Sequence, residues 1–123
     1  MTRIAGSSAA VPPPAGPYSQ SARIGSFVAS SGQAGFLPDG SLPDGVAEQT
    51  RLALAHVRDA LRASGAGFEH VLHMRIYLTD PSQFATMNEV YTEFLGAPYP
   101  ARTTVYVTLP AGMHVEIDAL AVV

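Results

Sequence analysis

Arg102 and Glu116 are of residue types that could act together on a small carboxylate-bearing molecule. A guanidinium presents a planar fork that matches a carboxylate bidentately. Arg102 stands in Pro100-Ala101-Arg102-Thr103, where a loop is expected to enter a strand. Glu116 lies between Val115 and Ile117 in an otherwise apolar segment, so alternation turns its side chain away from theirs. A partly buried carboxyl has a raised pKa, which suits general acid–base work near neutral pH. Tyr18 follows Gly16-Pro17 and offers a hydroxyl. Ser31-Gly32 fits a segment where backbone approaches a ligand closely, because glycine has no side chain in the way. Each residue also has a plainer reading. Most arginines are solvated, and residue type alone favours a surface ion pair for Arg102. Glu116 equally suits structural pairing. A tyrosine commonly covers the edge of a core, and a glycine after a strand commonly marks a bulge or a strand end.

Several chemistries are excluded by composition. The chain has no cysteine, so a disulfide scaffold, a thiolate nucleophile and a cysteine-based metal site are ruled out. All seven basic residues are arginine, which removes a lysine Schiff base. His70 and His73 are three apart, but one precedes and one lies within an expected strand, which makes a poor metal pair; no metal site is expected. There is no Gly-x-Ser-x-Gly elbow and no Gly-x-Gly-x-x-Gly loop. A net charge of −3 argues against nucleic acid as a partner. No apolar run is long enough to span a membrane, and Met1–Ala10 does not read as a secretory signal, so the expected location is the cytoplasm. Only 14% of residues are charged, which hints at oligomerisation.

At 123 residues the chain reads as a single domain, with residues 1–15 as an extended lead-in rich in Ser, Ala and Pro. Gly25-Ser26 between two short apolar runs suggests a hairpin over residues 21–31. Two Pro-Asp-Gly turns follow within residues 35–45. Ala47, Thr50, Leu54, Val57 and Leu61 recur at helical spacing over 46–64, with Asp44 as candidate cap and Gly65 as terminator. Leu72, Met74, Ile76 and Leu78 alternate with His73, Arg75 and Tyr77, the pattern of a strand with one buried face. Asp80-Pro81-Ser82 opens a second helix carrying Phe84, Met87, Tyr91 and Phe94, ended by Gly96. Residues 103–109 and 115–123 read as the last two strands. The order β-β-α-β-α-β-β gives an α+β domain: a mixed sheet with both helices on one face. The strands flanking the second helix are expected to be parallel, joined by a right-handed crossover. The other sheet face is left bare, a natural oligomer interface.

Six blocks in order carry a family likeness: Gly16-Pro17-Tyr18-Ser19-Gln20, Ser31-Gly32-Gln33, Glu48-Gln49-Thr50, Asn88-Glu89-Val90-Tyr91, Pro100-Ala101-Arg102-Thr103 and Val115-Glu116-Ile117-Asp118. From about Ala15 to Val122 the chain resembles the Rid (YjgF-type) imine and enamine deaminases. The resemblance implies a chorismate-mutase-like fold, a homotrimer with clefts between subunits, and no cofactor or metal. It implies hydrolysis of 2-aminoacrylate-type imines and enamines to 2-oxo acids and ammonia. In that pattern Arg102 anchors the substrate carboxylate, Glu116 positions or activates water, and Tyr18 lies over the substrate. Ser31, Gly32, Thr103 and Thr104 complete the binding set. Arg102 and Glu116 are expected on adjoining strands near Tyr18 and Gly32. Thr104 departs from the cysteine common in relatives, and Asp118 from a common glutamate; a structural partner for an arginine is the preferred reading of Asp118. Two alternatives stand beside the deaminase: a 2-oxo acid binding module without turnover, and a relative acting on another enamine such as an aminomuconate. The loops Gly35–Gly45 and Gly96–Tyr99 are where specificity would be set.

Overall fold

A computed structural model describes all residues from Met1 to Val123. The elements run β1 (Ile4–Gly6), β2 (Ser21–Ile24), β3 (Phe27–Ser30), α1 (Val46–Ala63), β4 (Val71–Leu78), α2 (Phe84–Phe94), β5 (Ala101–Tyr106) and β6 (Val115–Val122). One six-stranded sheet has the order β1-β2-β3-β6-β4-β5. Only β4 and β5 are parallel, as the crossover through α2 requires.

The core fills the space between the helices and one sheet face. Leu54, Val57 and Leu61 of α1 and Met87, Val90 and Tyr91 of α2 pack on Met74, Ile76 and Leu78 of β4 and on Val115 and Ile117 of β6. The period of 3.6 in the helices and of 2 in the strands brings these residues together. The α1 helix ends in a Schellman motif: Ala66 N–H donates to the Leu61 carbonyl (3.0 Å) and Gly65 N–H to the Arg62 carbonyl (3.1 Å). Gly65 takes φ +86°, the left-handed conformation that this motif needs.

Four local expectations are corrected. The lead-in is not wholly extended coil. Ile4–Gly6 pairs antiparallel with β2, and three residues are too few to show an alternating pattern. Buried Gln20 holds the rest, its amide donating to the carbonyls of Ser8, Val11 and Pro12 (3.2, 3.2 and 3.1 Å). Asp44 does not cap α1; Gly45 occupies the N-cap and no side chain caps it. Leu72 is 58% exposed rather than buried, because the β4–β6 register shifts between Val71 and His73 and turns it outward. The fifth strand begins at Ala101 and ends at Tyr106, earlier than the 103–109 expected.

The sheet face away from the helices is open. It carries Ile24, Phe27, Val105, Leu120 and Val122, all at least 37% exposed.

Candidate functional site

Register decides which site residues can meet. Met74 pairs with Arg102 and Ile76 with Thr104, so Arg102 and Thr104 point to the helix-covered side. Tyr77 pairs with Glu116 and Arg75 with Asp118, so both acids point to the open face. Strand β4 lies between β5 and β6. Arg102 and Glu116 are therefore not on adjoining strands. Their strands are two spacings apart, about 9.6 Å, and their register partners Met74 and Tyr77 are three positions apart along β4, on opposite faces. The expectation failed because chain order places β5 beside β6, whereas the parallel crossover sends β5 to the sheet edge and leaves the centre to β4 and β6.

The Arg102 half lies at this edge. The guanidinium carbon is 4.9 Å from the ring centre of Tyr91 and 5.6 Å from that of Phe84, both on α2. Packing over two rings holds the group in place, worth about 0.5–2 kcal/mol, and needs none of its five N–H donors. Arg102 has no carboxylate partner, whereas Arg51, Arg58, Arg62 and Arg75 each have one. It lines a cavity of about 290 Å³ with Asn88, Tyr91, Thr92, Tyr99 and Pro100. The Tyr99 ring centre lies 6.4 Å from that of Tyr91. Three buried polar atoms on this side have no hydrogen-bond partner: Asn88 Oδ1, Tyr91 Oη and Thr104 Oγ1. Burial pushes the Tyr91 phenol up, partly offset by Arg102, so its hydroxyl remains a donor. Asn88 and Tyr91 were missed as site residues. Tyr91 reads as part of an apolar helical stripe, and only the i, i+3 spacing that puts Asn88 beside it on α2 hints at a shared task.

The Glu116 half is assembled by backbone hydrogen bonds. Gln33 exchanges two with Ile117, Gln33 N–H donating at 2.8 Å and Ile117 N–H at 3.0 Å. Ser31 N–H donates to the Gln20 carbonyl (2.9 Å), and Ser31 Oγ donates to the Ser19 carbonyl. This ladder sets Gly32 against Glu116. A Cβ on Gly32 would sit 3.0 Å from the Glu116 carboxyl carbon. Tyr18 directly precedes Ser19, its own N–H donating back to the Gly16 carbonyl (2.8 Å); its hydroxyl accepts from Ala15 N–H (3.1 Å) and the side chain is about half exposed. Burial, and then the charge of Asp118, raise the Glu116 carboxyl above its ordinary value. Asp118 itself accepts from Arg75 Nε (2.7 Å) and Tyr77 Oη (2.9 Å), the structural pairing expected of it.

One chain thus brings Ser31, Gly32 and Glu116 together, with Tyr18 on the adjoining segment, and separately brings Arg102 and Thr104 together. Thr103 joins neither half. It lies on the open face of β5, where its hydroxyl is 3.2 Å from His73 Nε2. His56 is a structural tie, its Nε2–H donating to the Phe36 carbonyl at 2.9 Å. No cluster of three or more metal-ligating side chains occurs, and no helix is long and apolar enough to cross a membrane.

Comparison with known proteins places this geometry in a family. A family model described as endoribonuclease L-PSP matches residues 8–123. The 2-iminobutanoate/2-iminopropanoate deaminase of Bos taurus is 40% identical over 119 residues, covering 94% of this chain and 87% of that protein. The mitochondrial protein mmf2 of Schizosaccharomyces pombe is 40% identical over 86% of this chain and 87% of its own. Among solved structures, Escherichia coli TdcF with bound serine superposes with a TM-score of 0.92 at 37% identity, covering 98% of both chains. With this match over nearly its whole length, the chain belongs to the endoribonuclease L-PSP family, the Rid or YjgF-type family of the sequence resemblance.

Proposed function

We propose that the protein hydrolyses reactive 2-imino acids and their enamine tautomers, of the 2-aminoacrylate type, to 2-oxo acids and ammonia. The observation that carries this reading is Arg102, a guanidinium oriented by two rings and free of any carboxylate partner. The naming of a 40%-identical relative as an iminobutanoate and iminopropanoate deaminase supports the same chemistry. An RNA-cleaving reading has less support. The net charge is −3, and four of the seven arginines are engaged with carboxylates, leaving little to neutralise a phosphate backbone.

The two half-sites lie on opposite faces of one sheet, so a complete site needs two chains. Arg102 of one copy faces Glu116, Gly32 and Tyr18 of its neighbour. The exposed apolar residues of the open sheet face support a homotrimer, the assembly that the family likeness implies.

In this site Arg102 takes the substrate carboxylate through its free N–H edges and fixes the imine carbon in place. Glu116 removes a proton from water as the oxygen attacks that carbon. The C–O bond forms, the C=N π pair moves to nitrogen, and Glu116 passes the water proton to that nitrogen. The carbinolamine then collapses: Glu116 takes the hydroxyl proton as the C=O bond forms, the C–N bond breaks, ammonia leaves with the proton that Glu116 hands on, and the 2-oxo acid forms. Tyr18 closes the site above the substrate, and Thr104 offers its hydroxyl beside the carboxylate. No cofactor enters these steps. An imine is already electrophilic, so a few groups suffice.

The test is a coupled assay. An amino-acid oxidase generates imines, and semicarbazide traps what escapes hydrolysis. Wild-type protein lowers trapping, while Arg102→Ala lowers activity at least a hundredfold, with circular dichroism unchanged. Equal turnover by the variant removes the anchor role. Trapping unaffected by wild type for every amino acid, with 2-oxobutyrate bound, would identify a binding module instead.

A further inference from the structure

The open sheet face holds a cluster that the reaction above does not use. Asp118 is two residues from Glu116 on the same strand and the same face. Its carboxylate is gripped from β4, with Arg75 Nε on Oδ1 (2.7 Å) and Tyr77 Oη on Oδ2 (2.9 Å). Tyr77 is also the register partner of Glu116, and Arg75 that of Asp118. Both oxygens of Asp118 are thus held, and its side chain is only 13% exposed. Glu116 has a different surrounding. It shares the face and the strand but has no ion-pair partner of its own.

We propose that Asp118 is a positioning residue for the deamination: held by Arg75 and Tyr77 beside Glu116, its fixed charge biases Glu116 toward taking the proton from the attacking water. The inference rests on the deaminase reading of the site. The groups that face Glu116 set the sign of the effect. On β4 these are Tyr77, Arg75 and His73; on β6 the charged neighbour is Asp118; and in the proposed assembled site Arg102 of the neighbouring copy faces it in every variant alike. Strands β3 and β5 turn only Phe27, Ala29, Ala101, Thr103 and Val105 to this face, and the covering segment Ser31–Gln33 is uncharged. Tyr18 directly precedes Ser19, whose carbonyl accepts from Ser31 Oγ. Among these groups, burial and Asp118 are what raise the Glu116 carboxyl. Tyr77 stays a donor at working pH, because burial first, and then its bond to Asp118, push its phenol up.

The Arg75–Asp118 pair makes a signed test possible. Removing the acid takes a negative charge from beside Glu116. Removing the base leaves that charge uncompensated. Asp118→Asn is expected to lower the Glu116 titration midpoint by about half a pH unit, and Arg75→Met to raise it by a smaller amount. The midpoint is read directly by carbon-13 carboxyl NMR on the assembled protein. The acid limb of the kcat/KM profile is expected to move in the same two directions, and Asp118→Glu is expected to restore the wild-type profile. A merely structural cluster behaves otherwise: both variants lose stability and activity, with the Glu116 midpoint unmoved or moved in one common direction. That result overturns the proposal. If Asp118→Asn fails to fold, Arg75→Met decides alone, since a midpoint that does not rise overturns the proposal equally. A midpoint that shifts in opposite senses while the pH profile stays fixed overturns Glu116 as the proton carrier, and with it the role of Asp118 in the reaction.

Discussion

The two faces of the sheet hold their charged residues in opposite ways. On the covered side, Arg102 is fixed by aromatic rings and has no counter-charge. On the open side, Asp118 is paired with Arg75 while Glu116 has no ion-pair partner within the chain. Stacking fixes the position of a guanidinium and leaves its hydrogen-bonding edges free. An ion pair uses those edges. Arg75 and Arg102 are the same residue type on neighbouring strands, yet only Arg75 spends its donors on an ion pair. The difference comes from register: Arg75 is paired with Asp118, and Arg102 with Met74.

The largest effect should come from splitting the two halves between chains. Arg102→Ala and Glu116→Gln are each expected to be nearly inactive. Coexpressed in equal amounts, they should recover about a quarter of wild-type turnover, because random assembly in a closed ring places an intact Arg102 against an intact Glu116 at that fraction of interfaces. Mixing the purified variants without subunit exchange should recover nothing. If one chain held a whole site, coexpression would leave activity at the level of the parents, and the opposed half-sites would have no functional meaning.

Much of this arrangement was legible in the sequence. The helical period marked Leu54, Val57 and Leu61, and alternation marked Met74, Ile76 and Leu78, because those patterns are set by which face is buried. Gly25-Ser26 marked the hairpin through local turn chemistry. Sheet order was not legible. Local propensities are the same whether β5 lies beside β6 or beyond β4, and only the crossover decides between them. Strand β1 and the exposed Leu72 were lost for a related reason, since each depends on pairing with residues distant in sequence. Of the site, the residue types and the facing of Glu116 away from Val115 and Ile117 could be read from alternation. The separation of Arg102 from Glu116 could not, and neither could the engagement of Asn88 and Tyr91 with the arginine cavity, which follows from how α2 packs on the sheet edge.

A smaller perturbation separates placement from chemistry on the open face. Gly32→Ala puts a methyl group 3.0 Å from the Glu116 carboxyl carbon and 3.2 Å from Oε1. The obstacle is the far end of a flexible side chain, so Glu116 moves and the backbone stays. Stability should change by less than about 1 kcal/mol. Turnover should fall roughly tenfold, since a displaced catalytic group loses much of its orientation. In the proposed site the carboxylate is held by Arg102 of the neighbouring copy, which the displacement of Glu116 does not move, so binding of a 2-oxo acid should weaken less than turnover. Calorimetry with 2-oxobutyrate beside the trapping assay makes the comparison. Equal losses in both would mean that Gly32 shapes carboxylate binding as well.

The smallest effect expected is at Thr104, beside Arg102, where stability and function should move in opposite directions. Its hydroxyl oxygen is buried without a hydrogen-bond partner. An unsatisfied buried polar group costs about 1–3 kcal/mol. Thr104→Val keeps the shape, removes the hydroxyl and suits a strand. The variant should therefore be more stable by about 1 kcal/mol in denaturant titration. If the hydroxyl donates to the bound carboxylate, KM should rise a few-fold with kcat nearly constant, because a contact made equally in ground and transition states is lost. A stabilised variant with unchanged KM would leave Arg102 as the sole anchor on its side of the sheet. A destabilised variant would mean that the hydroxyl is satisfied across the interface by the neighbouring copy, and that the helix-covered half of the site is completed, like the open half, only on assembly.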